Sequence, residues 1–284
     1  MTTGKEKNVF NIAVDGNFDD CQNLVKAMFA DKSFSKEIKM SGVNSINWAR
    51  IIAQSVYYFY SYFLIEENNK PINFSVPTGN FGDVYAGYLA KKMGLPINKF
   101  VVATNQNDIL HRAISKGTYD VEKVSETISP SMDIQIASNF ERLIYDLNNC
   151  NDIKTISAMK DIKEKGKYLI DKENLDKMNI DFLSSQISED ETLKTIKTVY
   201  EKFNIVLDPH TAIGYGAFDK VNLKGNNVVL ATAHPCKFPD AIKRSININA
   251  KLPDELSFIM EEKEDYDTIE NNLEKIKQHI KERI

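Results

Sequence analysis

The sequence predicts an α/β protein in which a parallel sheet is flanked by helices, and three observations predict it. Short runs rich in Val, Ile and Phe recur at residues 72–76, 99–104 and 228–233 and have the length of strands rather than buried helices. Each gives way to a turn carrying Gly, Pro or Asx residues. Between the runs the apolar residues return at helical spacing, and strands alternating with helices call for a parallel sheet covered on both faces.

The elements can be justified in order. Residues 8–14 (NVFNIAV) read as a strand, with Asp15-Gly16-Asn17 as its turn and Asp19 or Asp20 capping a helix that carries Leu24, Val25, Met28 and Phe29 on one side. Residues 32–43 are mixed and polar, hence a connection. Residues 44–64 form a long helix capped by Asn44 or Ser45. Ile46, Ile51, Ile52, Val56, Tyr57, Phe59, Tyr60 and Phe63 leave it little polar face, so it is expected in the interior. After a loop at 66–71, Ile72, Phe74 and Val76 alternate with Asn73 and Ser75 in a strand. That strand ends in Pro77-Thr78-Gly79-Asn80-Phe81-Gly82, and a helix runs from Asp83 to the stop at Gly94 and Pro96. Residues 99–104 (KFVVAT) are a buried strand, followed by Asn105-Gln106-Asn107-Asp108, and a helical portion begins at Ser138. From Asp152 to Phe203 the chain is rich in Lys and Glu with narrow apolar stripes and no expected strand, a helical excursion with exposed charged faces. The sheet resumes with Ile205-Val206-Leu207, a small-residue helix from Ile213, the run 228–233 and a last helix over 266–280.

Composition narrows the function classes. Forty acidic and thirty-six basic residues give a net charge of −4 over 284 residues, spread along the chain, so no nucleic-acid or anionic-membrane surface is indicated. Cys21, Cys150 and Cys236 are far apart, odd in number and without metal spacing; they read as reduced thiols. The most apolar stretch, 51–65, is interrupted by Gln54 and Ser61 and is too short to span a bilayer. The amino end carries no basic region followed by an apolar one, and the cytoplasm is the expected location.

Several polar positions lie where open α/β sheets meet ligands, just past the carboxyl ends of strands. The turn at Gly79 and Gly82 is either a sharp strand-to-helix turn or a cradle in which backbone N–H groups at a helix start hold a phosphate. Asn105, Asn107 and Asp108 follow one strand as either a loop or a set of ligand contacts. His210 and His234 each follow an apolar run; taken singly, either reads as a packed or capping residue. His-x-x-x-His spacing, a Gly-x-Ser-x-Gly elbow and a Walker A loop are all missing, which removes the main support for metal, hydrolase and nucleotide-kinase readings.

Four blocks carry a resemblance to a known family. They are AVDGNFDDCQ (residues 13–22), NSINWARIIAQ (44–54), SVPTGNFGDVYAGYLAKKMGLP (75–96) with its sequel ATNQND (103–108), and DPHTAIGY with ATAHPCKF near the end. In that order they resemble the carboxyl-terminal two-thirds or so of threonine synthase. This is a pyridoxal-phosphate lyase of fold-type II, with a tryptophan synthase β-like fold, that converts O-phosphohomoserine and water into threonine and phosphate. The resemblance implies a role in amino-acid biosynthesis. It also implies that the backbone of Gly79, Asn80, Phe81, Gly82 and Asp83 surrounds the cofactor phosphate and that the Thr232 hydroxyl lies at the pyridine nitrogen. Asn44, Ser45, Asn47 and Arg50, with Asn105, Asn107 and Asp108, would line the substrate pocket. Arg50 suits a phosphate oxygen through its planar fork, and His210 and His234 would lie around the substrate.

One departure follows from the same resemblance. The family's Schiff-base lysine sits in a Phe-Lys-Asp motif, and this sequence contains no such tripeptide. The expectation is therefore a fragment, incomplete at the amino end and inactive alone, whether a truncated chain, an incomplete gene or one half of a split enzyme, which in the last case takes a separate amino-terminal segment as partner. Its expected organisation is 1–43 as part of the smaller cofactor-side domain, 44–137 and 204–284 as the large α/β domain, and 138–203 as a helical insertion. The competing expectation is a non-catalytic α/β module that binds an anion or a nucleotide.

Overall fold

The computed structural model describes residues 2–4, 6–16, 18–42, 44, 47–65 and 70–284. The chain divides into two compact units, residues 1–43 with 252–284, and residues 44–251.

In the first unit, strand β1 (Ile12–Asp15) is followed by helices α1 (Phe18–Ala30) and α2 (Lys32–Glu37). The second helix occupies a stretch expected as a connection, because Asp31 caps it by accepting the N–H groups of Ser33 and Phe34.

The second unit begins with α3 (Trp48–Phe63), capped by Asn47 rather than by Asn44, while Ser45 lies outside the described residues. Strand β2 (Ile72–Pro77), helix α4 (Gly82–Lys92) and strand β3 (Ile97–Thr104) form a βαβ unit, and α5 (Ile109–Lys116) leads to the short strand β4 (Thr118–Asp120). Helices α6 (Phe140–Leu147) and α7 (Asp152–Lys165) precede β5 (Lys167–Leu169), which pairs antiparallel with β4. Helix α8 (Lys172–Asp181) then runs into β6 (Phe182–Gln186), and α9 (Glu189–Phe203) and α10 (Pro209–Val221) precede β7 (Asn226–Val229) and α11 (Pro239–Ile246).

The tail returns to the first unit, where β8 (Asp267–Glu270) pairs parallel with β1 and α12 (Leu273–Lys281) buries Ile276 in one apolar cluster with Leu24, Met28 and Phe34. Residues 252–284 were expected with the large domain. The β1–β8 ladder and this shared core place them with residues 1–43.

The central sheet has the order β6-β3-β2-β7, every pair parallel. Strand alternation sends Phe74, Val76, Phe100 and Val102 to one face, into a core shared with Ile51, Tyr58 and Val84. Val101 and Ala103 point to the other, against Ile213 and Ala217 of α10. Ser75 also faces α10 and donates its hydroxyl to the Gly214 carbonyl at 2.6 Å.

Two expectations need correction. The stretch 138–203 contains β5 and β6, and β6 is an edge strand of the main sheet. Its Phe182 is fully buried, but an edge strand has one neighbour only and tolerates the polar Ser184, Ser185 and Gln186 that conceal it in the sequence. Helix α3 is not interior. It buries Ile51, Ser55, Tyr58 and Tyr62, while Trp48, Ile52, Val56, Tyr57, Tyr60 and Phe63 stand exposed. Among the described residues no helix is long and apolar enough to cross a membrane.

Candidate functional site

The carboxyl edge of the sheet is built around the turn from β2 to α4. The Thr78 N–H continues the ladder to the Ala103 carbonyl at 3.0 Å, and its hydroxyl accepts the Phe81 N–H at 3.2 Å. Phe81 itself has φ = 63°, a left-handed conformation that costs a non-glycine residue about 1–2 kcal/mol. Its ring is fully buried, edge-on to Phe140 at 5.2 Å and beside Phe182 at 5.9 Å. Burying such a ring contributes roughly 2–3 kcal/mol, so the packing outweighs the strain and locks the turn.

Gly79 is required by close approach. A Cβ there would lie 2.8 Å from the Ser131 carbonyl oxygen and 3.2 Å from Met132 Cα, both backbone atoms. The Asn80 carbonyl accepts the N–H of buried Asn139 at 3.0 Å, so the segment around 129–139 braces the turn from outside.

The consequence is a helix start with nothing of its own to cap it. No side chain caps α4, and among the described residues no acceptor lies within hydrogen-bond distance of the N–H groups of Gly82, Asp83 and Val84. Converging amides at the positive end of a helix dipole form a site for an anion. The fit to a phosphate is good on that ground, with Asp83 as the one dissonant group. Its Oδ1 is buried without a partner, and burial pushes its carboxyl up to about 6, the neighbouring Tyr58 pulling the other way. The Tyr58 hydroxyl donates to the Asp83 main-chain carbonyl at 2.7 Å. Below about pH 6 the carboxyl is neutral and no longer repels an anion at the amides.

Thr232 shares this rim. The Leu230 N–H bonds to the Ser75 carbonyl at 3.1 Å, so the parallel β7 runs out beside the end of β2, and Thr232 stands exposed two residues further on. On α3, Asn47 accepts the Ala49 N–H at 2.9 Å as a helix cap, and Arg50 is exposed in the first turn. Asn44 is exposed just before it.

Beyond β3 the outcome differs. Asn105 donates to Asp133 Oδ1 at 2.7 Å, to Ser129 at 2.9 Å and to Thr127 at 3.0 Å. Asn107 donates to the Ser125 carbonyl and to Asp133, and accepts the Ser125 N–H, each at 2.8–2.9 Å. Asp108 pairs with Arg112 at 2.8 Å, and Arg112 reaches on to Glu122 and Gln135. Asn105 and Asn107 are buried, and this trio pins the loop over residues 121–137.

The two histidines also part company. His210 is buried beside Phe238, with Nδ1 3.1 Å from Asp208 Oδ1 and Nε2 unpartnered. Asp208 also caps α10 and takes the Thr211 hydroxyl. His234 is exposed and lies against Cys236. The roles of Asp133 and Tyr58 were not legible from spacing, since their partners come from other segments, whereas Asp208 serves its own turn through His210 and Thr211.

Two hollows lie elsewhere. One of about 360 Å³ is lined by Pro71, Asn98 and Asn226 at the opposite edge of the sheet, and one of about 410 Å³ lies between α2 and α12 of the other unit. The candidate site therefore rests on amides without an acceptor rather than on depth.

Comparison with known proteins shows what the chain is similar to. Residues 211–280 match the family model described as threonine synthase, C-terminal. A threonine synthase from Pseudomonas aeruginosa is 44% identical over 99% of this chain and 60% of its own length, and one from Saccharomyces cerevisiae is 42% identical over 96% and 57%. A crystal structure described as PLP-bound threonine synthase from Brucella melitensis superposes with a TM-score of 0.95 at 43% identity, covering all of this chain and 61% of that one. The yeast enzyme's structure gives 0.89 at 42% identity. The chain thus spans about three-fifths of the length of the relatives it matches.

Proposed function

We propose that this chain, which sequence and fold place with the threonine synthases, grips the 5′-phosphate of pyridoxal phosphate at the turn from β2 to α4 and so contributes that cofactor's anchor. The observation that carries the proposal is the row of unpartnered N–H groups at Gly82, Asp83 and Val84, held in place by the buried, left-handed Phe81. The reaction is the conversion of O-phosphohomoserine and water into threonine and phosphate. When bound, the cofactor supplies an electron sink for charge developing on the carbon skeleton of the substrate. The chain's own groups bind and orient. The Thr232 hydroxyl is a neutral partner for the ring nitrogen, which a carboxylate would instead hold protonated. Arg50, with Asn44 and Asn47 at the same helix start, is assigned the substrate's phosphate, which its planar fork suits. Asn105, Asn107 and Asp108 act by holding the loop that braces Gly79, and His210 and His234 stand further along the rim.

The covalent anchor of the family's cofactor is a lysine in a Phe-Lys-Asp motif that these 284 residues do not contain. The chain by itself is therefore proposed to bind the cofactor noncovalently and not to turn over. Calorimetric titration tests the anchor: pyridoxal phosphate should bind at least tenfold more tightly than pyridoxal, and inorganic phosphate should compete. Equal affinities would overturn the reading, and preferential binding of ATP would favour a nucleotide module instead. Turnover of O-phosphohomoserine should appear only when a segment bearing the lysine motif is added; turnover by the chain alone would refute the division of labour.

A further inference from the structure

Helix α3 turns toward solvent a face that a solvated helix does not carry. Ile52, Val56, Tyr60 and Leu64 recur at four-residue spacing and so stand in one row, and they are 49%, 60%, 65% and 65% exposed. Phe63 widens the row at 68%. Arg50 is the one charged residue of the helix. Helix α7 supplies the contrast, since its Ile153 and Ile156 are as exposed but are set among Asp152, Lys154 and the charged residues that follow. Scattered apolar residues of that kind need no partner, whereas a continuous uncharged row marks a surface that another element covers.

A second observation lies on the same side of the sheet. The ring of Tyr58, on α3, meets Phe74 of β2 at 4.8 Å, while Tyr88, on α4, meets Phe182 of β6 at 5.4 Å. Helix α3 therefore covers the half of the sheet that ends in β7. That strand has β2 on one side and, among the described residues, no strand on the other. The Leu230 N–H points to the Ser75 carbonyl, so the alternation of a parallel ladder turns the main-chain N–H and C=O groups of Asn227 and Val229 outward. Residues 226–231 (NNVVLA) carry no charge and no proline, the devices that keep an edge strand from pairing.

We propose that this end of the sheet is a docking surface, and that its occupant is the amino-terminal part of the longer relatives, which adds a strand beside β7 and lays an apolar face on α3. The relatives that match this chain along its whole length have about two-fifths more residues of their own. Residues 211–280 match the family's carboxyl-terminal model, which sets that additional length on the amino-terminal side. The inference rests on the proposed division of labour between this chain and a lysine-bearing segment, and adds where the two meet.

Co-expression with the amino-terminal two-fifths of the Pseudomonas aeruginosa relative tests it. Affinity capture of this chain should recover the two polypeptides in equal amounts. Val56→Glu combined with Tyr60→Glu sets two carboxylates in the exposed row and should cut recovery about tenfold, with an unchanged thermal melt of the chain alone reporting an intact fold. Ile153→Glu, at an equally exposed position of α7, should leave recovery unchanged. Hydrogen exchange at the Val229 amide should slow about tenfold in the pair relative to the chain alone. Failure of capture, capture indifferent to the α3 substitutions, or a Val229 amide that exchanges as fast in the pair would overturn the proposal. So would dimers of this chain, seen by light scattering, that the same substitutions dissociate, since the occupant would then be a second copy. Titration with pyridoxal phosphate keeps the two readings apart: a pair that forms without binding the phosphate sinks the anchor at Gly79–Asp83 and leaves the docking surface, and phosphate binding without a pair does the reverse.

Discussion

The turns after β2 and β3 lie side by side at one edge of the sheet and use polar groups in opposite ways. After β2, the donors that matter are backbone amides at a helix start, and rigid packing of Phe81 and close backbone contact at Gly79 hold them without an acceptor. After β3, the donors are the side chains of Asn105 and Asn107, and a loop from residues 121–137 consumes all of them. Amides fixed by a helix cannot turn away to find a partner, whereas side-chain amides can. The first arrangement therefore keeps donors available for a ligand, and the second spends them on the fold.

The sharpest way to break this comparison is to remove the acceptor at the centre of the second network. Asp133 accepts from Asn105, Asn107 and Thr127, so Asp133→Ala leaves several buried donors unpaired and should cost about 3 kcal/mol of unfolding free energy. Anion affinity should fall less than stability does; chemical denaturation and phosphate titration of the same variant measure both. Gly79→Val attacks the first turn, and the forced shift of the Ser131 backbone should cost about 2 kcal/mol, as overpacking does. Here anion affinity should drop at least tenfold, and a variant that keeps full affinity would refute the cradle.

Asp83 offers a smaller and more diagnostic test. Its carboxyl, pushed up to about 6 in the fold from its ordinary 3.8, binds its proton more tightly when folded. Its contribution to stability is therefore most favourable below about pH 4 and declines as pH rises through 6. Asp83→Asn should flatten that slope and add roughly 1–2 kcal/mol at pH 7. Sulfate, which stays doubly charged over this range, should bind several-fold more tightly to the wild-type chain at pH 5 than at pH 7, and equally at both to the variant. The smallest effect is at the start of α3, where Asn47→Ala removes a cap and should lower stability by about 1 kcal/mol in a thermal melt, leaving anion binding unchanged.

Particular elements show what was legible. The βαβ unit from Ile72 to Thr104 could be read because the strand period, the glycine turn and the helix spacing are all local. Strand β6 could not, since its identity depends on β3, some eighty residues earlier, accepting it at an edge. Helix α3 was misjudged as interior because composition reports how apolar a segment is, not how many of its faces meet a neighbour. The tail was assigned to the wrong unit for a related reason: only the pairing of Asp267–Glu270 with Ile12–Asp15 reveals where it belongs.

By itself the sequence determined the α/β class, the position of the strand-to-helix turn and the residues that form it, because period, glycine placement and turn chemistry act within a few residues along the chain. Tertiary structure alone decided which polar groups remain available. Whether a donor is open or consumed depends on partners twenty or more residues away, as Asp133 is from Asn105 and Asn139 from Asn80, and no local pattern encodes those meetings.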